Sequence, residues 1–148
     1  MEQFDSEKAR RVWSRVQAGA LPESPHCDVQ ALAVREAAEN GAYIRLSQSV
    51  YGRDRALLRK IAMEDKAHWE ILRGILRMTA ETKPKPAPPA ADSGSVGRRL
   101  RLCYGRKMQM VAEYEKRVSD PQFGRIFQKL AEQEAAHCQA LLTMIGKY

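Results

Sequence analysis

Cysteine is scarce in this chain of 148 residues: Cys27, Cys103 and Cys138 are an odd number, with no C-x-x-C pair among them. That argues against a disulfide framework, a zinc ribbon or a C-x-x-C iron site, and leaves free, buried thiols as the expectation. Long apolar runs are missing too, so no stretch is suited to span a bilayer. No window alternates in the manner of a strand. The start, Met1-Glu2-Gln3-Phe4-Asp5, is acidic and lacks the apolar core of a signal peptide. A cytoplasmic location with no membrane partner is the expectation. No recognised nucleic-acid motif accompanies the cluster Arg98, Arg99, Arg101, Arg106 and Lys107 in a chain of net charge +7. A solvated helix face is the favoured reading for most of that cluster, with a nucleic-acid binder the least favoured of the functions weighed.

What is present is helix-forming sequence, with 44% hydrophobic and 29% charged residues, enough for one all-α domain with a real core. One stretch occurs twice. Lys60-Ile61-Ala62-Met63-Glu64-Asp65-Lys66-Ala67-His68 is echoed 69 residues later by Lys129-Leu130-Ala131-Glu132-Gln133-Glu134-Ala135-Ala136-His137. Each copy carries an acid three residues before a histidine. Residues three apart lie on one helix face, so each copy aims a carboxylate and an imidazole at the same place.

The phase of the apolar residues says where that place is. Leu58, Ile61, Asp65, His68, Leu72 and Ile75 step by 3, 4, 3, 4, 3, and so do Phe127, Leu130, Glu134, His137, Leu141 and Met144. Both acid–histidine pairs therefore sit in the buried stripe of a packed helix. Buried charges are normally paired or bound to metal. For one copy, a hydrogen-bonded core pair is the simpler reading. Two copies in the same phase favour a metal site.

The rest of the chain fits around these two helices. Residues 1–25 read as an N-terminal arm with a short helix to Gln17, where Trp13 docks on the bundle or on another subunit. Asp28 is a candidate N-cap for a first long helix running to about Tyr51. Its stripe is Val29, Leu32, Glu36, Glu39, Tyr43, Leu46 and Val50. Tyr51-Gly52 makes a turn, and a second helix follows from Arg53 to Met78, so residues 28–78 form a helical hairpin. Residues 79–94 are rich in proline and read as an extended crossover. A second hairpin, residues 95–147, begins with a helix from Ser95 to Val118 whose stripe is Leu100, Cys103, Lys107, Met110, Tyr114 and Val118. Asp120 and Pro121 then signal the start of a fourth helix that ends near Ile145.

Each hairpin thus pairs a tyrosine-bearing helix with an acid-x-x-His helix. Tyr43 precedes His68 by 25 residues, and Tyr114 precedes His137 by 23. Two duplicated hairpins joined by a long crossover make a four-helix bundle.

These residues resemble the ferritin-like superfamily and, within it, the rubrerythrin-type domain. Such bundles take glutamate from two helices and Glu-x-x-His from the other two. Glu36 matches the first glutamate, Asp65-x-x-His68 the second helix with aspartate for glutamate, and Glu134-x-x-His137 the fourth. The resemblance covers residues 28–147. It implies a metal ligand set of Glu36, Glu39, Asp65, His68, Glu134 and His137, with Glu64 bordering the stripe as a further candidate. It implies iron, as one or two ions, or manganese. The activities it implies are oxidation of ferrous iron and reduction of peroxide or dioxygen. Tyr43 and Tyr114 would serve as hydrogen-bond or redox partners of the centre, and a homodimer is expected.

The third helix departs from the pattern. Its glutamate position, seven residues before Tyr114, is Lys107. An ammonium has no lone pair for a metal. It must find a carboxylate, with Glu36, Glu39 and Glu134 as candidates, or lift its end out of the bundle. Two functions therefore compete: a redox metalloprotein with an altered centre, and a ferritin-like scaffold in which Lys107 fills the site, no metal binds, and the chain is a structural or binding module.

Overall fold

A computed structural model describes residues 28–79 and 92–148. The N-terminal arm, Trp13 and most of the crossover lie outside the described residues. Four helices account for the rest: α1 (Val29–Ser47), α2 (Gly52–Met78), α3 (Val96–Glu115) and α4 (Gly124–Ile145). Among the described residues there is no strand. The helices form two packed pairs, and the described chain divides into two compact units, one up to Arg99 and one from Leu100 to Tyr148.

In the first unit α1 packs against α2. Asp28 caps α1, its Oδ1 accepting from the Ala31 amide at 2.7 Å. The helix stops at Ser47, earlier than its apolar stripe suggests. The Gln48 and Ser49 amides turn back to the carbonyls of Arg45 and Leu46. Arg55, from the next helix, then holds the turn. Its Nε donates to Ser47 O at 3.1 Å and Val50 O at 2.9 Å. Its guanidinium also lies over the Tyr51 ring. Gly52 opens α2 at φ +60°, where a side chain would be strained. Leu32, Tyr43 and Leu46 of α1 and Leu58, Ile61, Leu72 and Ile75 of α2 are buried. Each such aliphatic side chain contributes about 1.5–3 kcal/mol relative to exposure.

The second unit holds the rest of α3 and α4. Ser95 caps α3 by accepting from the Arg98 amide. The helix ends at Glu115, short of Val118, which is exposed rather than part of the stripe. Arg117 Nη1 donates to the Glu113 carbonyl at 2.9 Å and takes one of the last orphan acceptors of the helix. Asp120 does accept two amides, those of Gln122 and Phe123. It caps a turn through residues 121–123, however, and α4 begins only at Gly124. That glycine is required by a close approach: a Cβ there would collide with the carbonyl oxygen of Val118. Within the unit the Tyr114 and Phe127 rings stack, with centroids 6.4 Å apart. Met108, Val111 and Cys138 form a buried cluster flanked by Tyr104 and Ala135. Among the described residues, no helix is long and apolar enough to cross a membrane.

Candidate metal centre

The two acid–histidine helices each turn their pair inward. On α2, Asp65 and His68 are buried, as are Glu36 and Glu39 one turn apart on α1. Alternation of 3 and 4 carries the apolar stripe straight through these polar residues, which is why the helices take them out of water. His68 Nδ1 lies 3.4 Å from Glu36 Oε1 and 3.8 Å from Asp65 Oδ1. Glu36, Asp65 and His68 each place a ligand atom within 4.8 Å of the others'.

This donor set could hold a metal ion. Carboxylate and imidazole ligands sit about 2.0–2.2 Å from an ion such as zinc, so two of them on one ion are separated by about 3–4 Å. The two histidine–carboxylate separations fall in that range. Glu39 lies one turn beyond Glu36, a further buried carboxylate on the same stripe. Glu64 is placed differently: it is partly exposed, with Lys60 Nζ 3.8 Å away.

The second hairpin repeats the motif and fills it otherwise. Glu134 Oε2 is 3.6 Å from His137 Nδ1, close to the Asp65–His68 spacing. The same oxygen is 2.7 Å from Lys107 Nζ, and both side chains are wholly buried. Lys107 therefore turns inward rather than reaching for solvent, and Glu134 is an ion-pair partner for it. The Lys107 ammonium thus places a positive charge beside the Glu134–His137 pair. Cys138 follows His137 in sequence and is buried. Burial pushes its thiol up to about 12, Glu134 adds to the rise, and Lys107 opposes it. Burial likewise raises the Tyr104 phenol, with Cys138 contributing.

Tyr43 and Tyr114 are both fully buried. Tyr43 follows Glu36 by seven residues, about 10 Å along the helix axis. Tyr114 stands in the same relation to Lys107. One residue near the site carries no signal in the apolar stripe. Asn40, a turn after Glu36, donates from Nδ2 to the Ala62 carbonyl of α2 at 2.7 Å. Its only mark in the sequence is an amide four residues after one stripe acid and next to another.

Comparison with protein-family models gives no match. No curated protein and no solved structure matches the chain either.

Proposed function

We propose that this chain is a ferritin-like metalloprotein that holds one iron or manganese ion on Glu36, Asp65 and His68, with Glu39 as a reserve carboxylate. The observation that carries the proposal is the buried meeting of those three side chains. The matching phase of the two acid-x-x-His helices supports reading the hairpins as two copies of one motif. Carboxylate with imidazole suits iron and manganese. In this reading Lys107 is an internal counter-charge, taking the electrostatic place of a second ion beside Glu134 and His137.

An ion bound there would supply one-electron redox chemistry towards ferrous iron, peroxide or dioxygen. The chain's own residues set the conditions for it. Glu36 and Asp65 would hold the ion and offset its charge, and His68 would add an imidazole ligand. The apolar stripe on either side excludes water, which strengthens every charge interaction within. Tyr43 and Tyr114 are the proposed hydrogen-bond or redox partners. In this reading a separate donor supplies the electrons. A homodimer completes the proposal.

The buried Lys107–Glu134 pair favours a second reading, a scaffold whose centre has given way to an ion pair and which works as a structural or binding module. Metal analysis of protein purified without chelators separates the two. One ion per chain, lost on Asp65→Ala and His68→Ala, supports the metalloprotein. Metal-free protein that refuses both iron and manganese supports the scaffold.

A further inference from the structure

Polar groups in a helix seam cost stability and define register, as a single asparagine does in a coiled coil. Asn40 is such a group. Half-buried on α1, it donates to the carbonyl of Ala62, which lies in the interior of α2 and is itself buried. Because α2 is continuous there, that carbonyl already serves the ladder of its own helix, so the amide is an added bond between helices and not a substitute for one.

Its position relative to the candidate ligands is specific. From Glu36 to Asn40 is four residues, about 6 Å of helix rise. From the middle of the Asp65–His68 pair back to Ala62 is four to five residues, about 6–7 Å. The helices run in opposite directions, so the two steps match. The register in which Asn40 meets Ala62 O is also the register in which Glu36 meets His68. A slip of one turn, about 5.4 Å, would separate them.

We propose that Asn40 is a positioning residue for the metal site: its bond to Ala62 O keys α1 to α2 so that Glu36 stands against His68 and Asp65. This rests on the reading of those three residues as metal ligands. Asn40 itself touches no ligand and has no place in the ligand set. The apolar seam supplies the stability of the hairpin, and the amide selects one alignment of it.

The test compares wild type with Asn40→Ala, Asn40→Leu and Asn40→Gln for manganese(II) affinity by titration calorimetry and for melting temperature. Removal of the donor in either apolar variant is expected to weaken manganese binding about ten- to hundredfold, as loss of groups that orient ligands does. Melting temperature is expected to stay within a few degrees. Asn40→Gln keeps the donor and is expected to recover most of the affinity. Apolar variants that melt like wild type and bind manganese equally tightly would overturn the inference. A merely structural role would lower melting temperature in step with affinity and would overturn it too. If wild type binds neither manganese(II) nor ferrous iron, it is the metal reading that fails. Crystal structures of wild type and Asn40→Ala then decide the register claim, which requires the Glu36–His68 separation to widen in the variant and is overturned if it stays at 3.4 Å.

Discussion

Lys107 Nζ and Glu134 Oε2 lie 2.7 Å apart with neither side chain exposed to solvent. Burying two charges is expensive, and their attraction offsets the cost only while both are present. Lys107→Ala should therefore cost about 3–5 kcal/mol of stability, because it removes one partner of a buried ion pair. Replacing both partners, as in Lys107→Met with Glu134→Leu, should cost far less and be close to neutral. Urea denaturation of the three proteins measures both outcomes, and equal losses in the single and double variants would rule out the ion pair as the cause.

The turn between α1 and α2 depends on a side chain from the helix that follows it. Arg55→Ala removes two hydrogen bonds to the carbonyls of Ser47 and Val50 and should lower stability by about 1–3 kcal/mol. Arg55→Lys should restore little, since lysine has no N–H at the position of the Arg55 Nε. Thermal denaturation of both variants checks this.

Gly124 is fixed by a collision and not by its backbone angle. Gly124→Ala would press a methyl group into the Val118 carbonyl. A shift of about 1–3 kcal/mol towards unfolding is expected, as for other overpacked sites. Gly74→Ala, where an added Cβ meets nothing within 4 Å, is the control and should be neutral or slightly stabilising.

The Cys138 thiol ionises at about 12 in the folded chain against an ordinary value of 9.0. The unfolded chain thus releases this proton first as pH rises. The contribution of the buried neutral thiol is fully present below pH 9, and is lost progressively as pH rises towards 12. Cys103 is buried as well. Neither thiol should react with iodoacetamide at pH 8 in the native state, and both should react after unfolding. Mass spectrometry of the native protein settles it.

The all-helical fold and the acid-x-x-His pairs were legible because both rest on periodicity, a signal that one sequence carries by itself. Asp28 as a cap was legible for the same local reason. The inward turn of Lys107 towards Glu134 was not, since stripe phase places a side chain on a face without naming its partner. Glu134 was one of three candidates until its 2.7 Å separation from Lys107 was seen. The early end of α1 depends on Arg55, eight residues beyond Ser47. The delayed start of α4 depends on Val118 passing against Gly124. Both are contacts made across a turn, outside the reach of capping rules. Asn40 escaped because an amide beside the stripe looks like any half-exposed polar residue until its acceptor is seen.

Lys107→Glu tests the central claim most directly, that an ammonium holds the place of a second ion. Wild type and variant are each loaded anaerobically with ferrous iron, stripped of loose metal and assayed for iron per chain. The expected result is one iron in wild type and a rise towards two in the variant. The metal-free variant should also be less stable, since one more acid joins a group of like charges. Two irons in wild type, or no gain in the variant, would contradict the account.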